Sequence, residues 1–403
     1  MEQARIDDVF PTTALMKSRW AQLAAAIAAA TRPSGMTDSD GPKGSLSILG
    51  SGIAHGDLTI EVESQLRAAD HVFYSINDYV TKTWLNGLRP DAYDLAILYN
   101  EGLDRHATYT RMAESLLHFV RRGRKVVAVF YGHPGIFAAP GHRAIQIARK
   151  EGHAARMRPG ISALDCLIAD LGFDPGLPGM ITYEATDMLL RRRRLDPTLH
   201  TVIWQVGVVG ELGYSRDGYA NRGLNLLIDA LEEVYGPDHE VLHYIGAQYV
   251  SAKPVIERLA IASLRDARIA KRLTTLSTFY LAPAQIAETD PERAQALNAR
   301  QRRAPQTAKG DITRYGPRDI DTLRRFADMP FSAGYEVKGW NPVLGFLMAL
   351  TRDMDLRARF ESDPAAVLDG PEGAHLTERE KSLLFARDQK AVVAAVNEGR
   401  TAE

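Results

Sequence analysis

The chain has 403 residues, 45% of them hydrophobic and 25% charged, a composition for a globular protein with room for two or three domains. A formal net charge of -1 offers no bulk attraction to nucleic acid or to an anionic membrane, and the single cysteine, Cys166, excludes a disulfide framework and a multi-cysteine metal site. No apolar run approaches the roughly 18 residues that span a bilayer, so a soluble, cytoplasmic protein without a metal is expected.

Residues 1–44 are expected to form a helical appendage ending in a Gly/Ser/Asp/Pro linker at 33–44. Met16-Lys17-Ser18-Arg19 ahead of an Ala-rich apolar run has the look of a signal peptide. Glu2, Asp7 and Asp8 precede it, however, and Leu23 and Ile27 are i,i+4 partners, so a surface or dimer-contacting helix is the expectation. From Ser45 strands and helices alternate. "SLSILGSGI" (45–53) reads as a strand, 58–70 as a helix, "HVFYSI" (71–76) as a strand, 109–123 as a helix with a glycine stop, and "KVVAVFYG" (125–132) as a strand. "HRAIQIARKEG" (helix), "AARMRPG" (strand), 163–171 (helix) and 179–183 (strand) continue the series, which predicts an α/β domain with mostly parallel pairing.

"HTVIWQVGVVG" (200–210), "HEVLHYIGAQ" (239–248) and "LSTFYLAP" (276–283) are further strands, separated by long helices such as 224–235, and predict a second α/β lobe. After Pro283 the chain turns polar and reads as a linker or extended arm. From 341 to 397 the pattern is helical, with a stripe of Phe346, Leu347 and Leu350 and a helix start at Leu376-Thr377-Glu378-Arg379-Glu380.

Gly50-Ser51-Gly52 sits between a strand and a helix, as a close ligand approach requires, but the spacing is not G-x-G-x-x-G and the signal is weak. Gly132-His133-Pro134-Gly135, Pro159-Gly160-Ile161-Ser162 and Gly207 all end strands, where open α/β sheets bind ligands and where purely structural turns look alike. His133 reads as a turn residue rather than a base, because no nucleophile stands beside it. Cys166 lies in an apolar helical stretch and reads as a small buried hydrophobe, and Arg191 to Arg194 as a solvated segment. Tyr99, Arg105 and Tyr109 surround a polar turn, with Arg105 and Tyr109 on one helix face. Such a set can polarise a carbonyl and handle a proton, although on pattern alone a structural cluster is the better reading.

In series, "SLSILGSGI", "VFYGHPGIFAAPGHRAI", "ARMRPGISALDCLIADLGFDP", "ITYEATD", "WQVG", "EVYGPDHEVLHYI" and "IAKRLTTLSTFYLAP" resemble the borosin peptide-backbone α-N-methyltransferases, whose catalytic domain has the tetrapyrrole (precorrin-type) methylase fold. "SDPAAVLDG" and "LTEREKSLLFARD" resemble their precursor-binding region. The resemblance implies an α/β, two-lobed methyltransferase domain at 45–283, a clasp arm at 284–335 and an all-α module at 336–403. It implies methyl transfer from S-adenosyl-L-methionine to backbone amide nitrogens of a peptide, with S-adenosyl-L-homocysteine as product. The family's catalytic Arg and Tyr fall on Arg105 and Tyr109, and its substrate-contacting tyrosines on Tyr99 and Tyr131, with Tyr109 the expected base. Cofactor walls are implied at Tyr131, His133, Gly135, Ile161, Ser162, Ala163, Tyr183, Gln205, Gly207, Val208, His243, Tyr244, Ser277 and Thr278, with no metal.

Fungal members of that family continue into an apolar core peptide. Here Val392-Val393-Ala394-Ala395-Val396 is either a rudimentary core or, on its helical pattern, the last helix of the module, so the expected substrate is a separate peptide or, only vestigially, the chain's own C-terminal tail. A homodimer with interlocked arms is implied as well. A tetrapyrrole C-methyltransferase and a non-catalytic peptide-binding scaffold are the competing expectations. The helical module and arm weigh against the first, and the four site residues against the second.

Overall fold

The computed structural model describes residues 13–32, 35–36, 41–101, 103–211, 213–215, 218–297, 314–329 and 340–398. Strands β1 (Ser45–Gly50), β2 (His71–Ser75), β3 (Tyr93–Asp94), β4 (Lys125–Phe130) and β5 (Ala154–Met157) form one sheet in the order β3-β2-β4-β1-β5. Every pairing in it is parallel. β4 buries all but its first residue because helices cover both faces, which is why "KVVAVF" is continuously apolar rather than alternating.

Helices α1 (Thr13–Ala30), α2 (Ile60–Ala68), α3 (Tyr79–Leu88), α4 (Arg105–Val120) and α5 (Ala139–Lys150) flank this sheet. On one face Trp20 and Leu23 of α1 join Phe73, Leu116 and Ile145 in a single core; on the other, Val62, Leu66 and Leu85 pack on Leu49 and Val127. The N-terminal helix, expected as an appendage, thus contributes to the core of the first lobe. α4 begins four residues before the expected 109, because Asp104 caps it by accepting the Ala107 N–H at 2.7 Å.

After α6 (Ala163–Leu171), the second lobe holds β6 (Met180–Glu184), α7 (Ala185–Leu190), β7 (His200–Trp204), α8 (Leu224–Tyr235), β8 (Glu240–Ile245), β9 (Val255–Ala260), α9 (Ala267–Ala270) and β10 (Thr278–Leu281). Its sheet order is β9-β8-β10-β7-β6, with only β6 and β7 parallel. The lobe is therefore mainly antiparallel. β9 is an edge strand with partly exposed charged positions, and a short connection joins it to β8, which antiparallel neighbours allow.

After α10 (Pro291–Ala296), much of the expected arm, 298–313 and 330–335, lies outside the described residues, as do 336–339 at the start of the expected module. Both sheets belong to one compact unit. A second unit carries α11 (Pro317–Arg324), α12 (Pro342–Arg352), α13 (Met354–Ser362), α14 (Pro364–Leu368), α15 (Glu378–Ala386) and α16 (Gln389–Glu398). Val343, Phe346, Leu356, Phe360, Leu368 and Leu384 form its core, with Val392, Ala395 and Val396 of α16 packed on it. Asn341 ties the ends of this unit together: its side chain caps α12 at Leu344 N, 2.8 Å, and donates to Val396 O, 2.8 Å. Among the described residues no helix is long and apolar enough to cross a membrane.

Candidate active site

The carboxyl ends of the first sheet's strands converge on glycines. A Cβ on Gly50 would meet Gly132 O at 2.4 Å, and one on Gly160 would meet Gly50 Cα at 2.9 Å, so three chain segments touch backbone to backbone at the sheet edge. Gly50 serves this packing, a Cβ on Gly52 would meet Asp57 Cβ at 2.1 Å, and neither glycine lines the adjacent cavity.

That cavity, of about 280 Å³, is bounded on the first lobe by Ser75, Asn77, Tyr99, Tyr109, Met112 and the turn from Phe130 to His133, and on the second by Trp204, Gln205 and Thr275 to Thr278. Ser162 and Ala163 at the start of α6 complete the wall. Two wall residues other than glycine hold left-handed backbones, Phe137 at φ 53° and Gln205 at φ 59°, conformations that store strain and collect at functional sites.

Tyr99, Tyr109 and Tyr131, expected at the reaction centre, all face this cavity. Burial pushes the Tyr99 phenol well up, and the neighbouring Tyr109 pushes the same way. Arg105, expected beside them, is not part of the cavity wall; its charge acts on Tyr99 and favours the anion, but burial outweighs it. Across the cavity, burial also raises Tyr131, opposed by a hydrogen bond from Gln248 Nε2 to its oxygen at 2.9 Å.

The expected cofactor walls divide. Tyr131, His133, Ser162, Ala163, Gln205, Ser277 and Thr278 line the cavity; Gly135, Ile161, Tyr183, Gly207, Val208, His243 and Tyr244 do not. Each of the excluded residues has other work or another direction. Gly135 donates its N–H to His133 Nδ1 at 3.0 Å, which fixes the His133 ring as part of the turn. Ile161 is 38% exposed to solvent. Tyr183 donates to Arg194 O at 2.9 Å, and Val208 is buried in the second lobe. Gly207 lets the backbone of Thr274 pass, since a Cβ there would meet Thr274 O at 2.1 Å. Tyr244 donates to Asp170 Oδ2 at 2.7 Å, and His243 bonds Ser277 Oγ at 2.8 Å from behind the wall. Even Ser162 spends its hydroxyl on Asp165 Oδ2, 2.6 Å, in the capping box of α6.

Sequence reasoning missed Gln248 behind Tyr131 and Trp204 beside Gln205, although the "WQVG" string contained the second. It also missed Tyr214, whose ring stacks on Tyr99 at 5.1 Å between centroids.

The tetrapyrrole (corrin/porphyrin) methylases match residues 45–245. A type I borosin methyltransferase and cyclic-peptide precursor of Cerrena unicolor is 39% identical over 354 residues, 85% of this chain and 86% of that protein. Its type I counterpart in Mycena rosella is 40% identical over 352 residues, 85% of this chain and 87% of that protein. A type II borosin methyltransferase and precursor of Phlebiopsis gigantea is 38% identical over 370 residues, 88% of this chain and 66% of that protein. Among solved structures, the methyltransferase CobJ superposes with a TM-score of 0.44 at 17% identity, covering 62% of this chain and 98% of that one.

Proposed function

The chain belongs to the borosin methyltransferase family, and we propose that it methylates backbone amide nitrogens of a ribosomally made peptide. The observation that carries this reading is the convergence of Tyr99, Tyr109 and Tyr131 on the wall of one cavity. The cofactor is S-adenosyl-L-methionine. When bound it supplies an electrophilic methyl on a sulfonium and leaves as S-adenosyl-L-homocysteine.

The residues present fit such a group. The backbone turn at Tyr131 to His133, the start of α6, Gln205 and the Ser277-Thr278 hydroxyls offer polar contacts among the apolar walls of Ile53, Phe130, Ile136 and Leu276, the mixture that binds nucleosides. An amide nitrogen is a poor nucleophile because its lone pair is delocalised into the carbonyl. Its proton must therefore leave and its oxygen must be stabilised as the methyl arrives. Tyr109 is the base that takes the N–H proton, with the positive charge of Arg105 acting beside it on Tyr99. Tyr99, raised by burial, keeps its own proton. Because Gln248 donates to the Tyr131 oxygen, the Tyr131 O–H is free to donate to the developing imidate oxygen. With the N–H proton on Tyr109 and the oxygen held by Tyr131, the amide nitrogen would present its electron pair to the methyl that the bound cofactor would supply.

We assign the acceptor to a peptide outside α16. The amide of Val392 is bonded to Asp388 O at 2.9 Å, and Val392 and Val396 pack in the helical core, so methylating that run requires unfolding it. The reading includes a cytoplasmic homodimer clasped by residues 284–335, with 45–283 as the catalytic domain and 336–403 as the peptide-binding module. It is supported by Tyr315, Leu323, Phe326 and Met329, apolar residues near α11 that stand more than half exposed. Tetrapyrrole C-methylation uses the same fold, but the relatives at about two-fifths identity are named as borosin enzymes.

Mass spectrometry tests the reading. Purified protein is incubated with S-adenosyl-L-methionine, alone and with candidate precursor peptides, and fragments are sequenced. Methyls on amide nitrogens of an added peptide are expected. Methyls confined to residues 392–396 would reassign the acceptor, and cofactor binding without methyl transfer to any peptide would overturn the reading.

A further inference from the structure

A buried polar chain reaches the cavity wall from behind. His243 of β8 and Ser277, just before β10, are each 1% exposed. His243 Nδ1 lies 2.8 Å from Glu257 Oε2, and Glu257 is its register partner on β9. His243 Nε2 lies 2.8 Å from Ser277 Oγ, and that same oxygen accepts the Thr274 N–H at 2.8 Å. Arg272 Nε stands 3.2 Å from the other Glu257 oxygen, Oε1. Only Ser277 of the His243–Ser277 pair faces the cavity.

The directions of these bonds follow from what each group can do. The His243 hydrogen bond and Arg272 hold Glu257 below the usual carboxylate range, so its oxygens only accept and Nδ1 must carry the shared hydrogen. In the neutral ring Nε2 is then the lone-pair nitrogen, and it takes the Ser277 hydroxyl hydrogen. Thr274 N–H occupies one lone pair of Ser277 Oγ. What remains for the cavity is an acceptor, not a donor.

We propose that Glu257 and His243 are positioning residues that lock Ser277 as a hydrogen-bond acceptor toward the cavity, so that this wall selects an N–H or O–H of the bound nucleoside. The relay deepens the methyltransferase reading and rests on it for the identity of the ligand. It assigns His243 a place behind the wall, acting through Ser277, and brings in Glu257, which no sequence motif marked.

The first test needs no ligand: ¹⁵N spectra of histidine-labelled protein at about neutral pH report which ring nitrogen of His243 is protonated. The Nδ1–H tautomer is expected, with Glu257→Gln admitting the Nε2–H form because an amide can donate as well as accept. A wild-type Nε2–H form or an imidazolium would overturn the proposal. The second test is calorimetric binding of S-adenosyl-L-homocysteine to Ser277→Ala, His243→Asn and the double variant. Each single change is expected to weaken binding about tenfold, with the double variant no weaker than the worse single one, and the loss to show in KM for the cofactor more than in kcat. Ser277→Thr, which keeps the hydroxyl, should restore affinity. Losses that multiply in the double variant would overturn the relay. Nδ1–H in a wild type that binds no S-adenosyl-L-homocysteine would support the relay and overturn the cofactor reading instead.

Discussion

Tyr99 and Tyr109 line the same cavity, and the proposed mechanism gives them different roles. Burial holds the proton on the Tyr99 phenol, and the proposal makes Tyr109 the base for the amide proton. Tyr109→Phe should lower the methylation rate about a hundredfold or more while leaving S-adenosyl-L-homocysteine affinity within about twofold. Tyr99→Phe should cost less, because it removes a protonated hydroxyl of the wall rather than the proposed base. Single-turnover rates with a peptide substrate, paired with calorimetry on the same preparations, check this; a reversed order would move the base to Tyr99. At this scale the sequence was readable where chemistry-bearing side chains clustered in one segment, as at Tyr99 and Tyr109. It was not readable where a strand decides direction. His243 and Tyr244 adjoin the site in sequence, but β8 lies one strand behind the cavity-facing start of β10, so neither ring reaches the wall. Gln248 comes from a loop 117 residues after Tyr131, and no local pattern announces such a pairing.

Among the elements, α1 shows how composition can conceal a core helix. Its Ala-rich sequence offers few large apolar side chains, yet Trp20 is 6% exposed and packs edge-on against Tyr93, with ring centroids 5.4 Å apart. Next to it Arg19 lies over the Tyr93 ring, its guanidinium carbon 4.2 Å from the centroid, and donates to Asp91 O. The Trp20 indole N–H is buried without a hydrogen-bond partner. Two substitutions therefore part ways. Trp20→Ala should destabilise the first unit by about 3 kcal/mol or more through the cavity it opens. Trp20→Phe gives up some contact but removes the unpaired donor, and should fall within about 1 kcal/mol of the parent. Urea unfolding followed by circular dichroism separates them, and a silent Trp20→Ala would return α1 to the status of an appendage. Helices with clean periodicity, such as α8, and the all-apolar β4 were readable from their own residues. The pairing of the second sheet was not. Antiparallel and parallel partners present similar apolar strands, and β9, with half-buried Glu257 and exposed Arg258, looks like loop until β8 is beside it.

Across the whole molecule, every histidine with a displaced pKa among the described residues lies in the unit that carries the two sheets. Burial lowers His71, His118, His153 and His200, and takes His118 to about 4, with Arg122 and Arg121 adding to the effect. The local structure explains why protonation is resisted. The His118 Nδ1 and His153 Nε2 atoms are buried without hydrogen-bond partners, and His153 Nδ1 already accepts the Gly44 N–H at 3.2 Å. Folded-state pKa values below the unfolded value mean that the unfolded chain binds more protons between roughly pH 6.5 and pH 4, so stability rises with pH across that window and falls on acidification through it. His118, lowered furthest, contributes to that loss down to about pH 4. The carboxylates act lower: Asp266, held near 2 by its hydrogen bond with Arg268, loses its contribution only as pH falls toward that value. The two windows are therefore separable, and so are the two units. Hydrogen exchange measured at about pH 7.5 and about pH 5, corrected for intrinsic rates, should show protection falling in β1 to β5 and their helices well before it falls in α12 to α16. His118→Phe should flatten the dependence between those pH values without shifting the carboxylate step. If both units lose protection together, or if His118→Phe leaves the slope unchanged, the buried histidines are not what limits the acid stability of the catalytic unit.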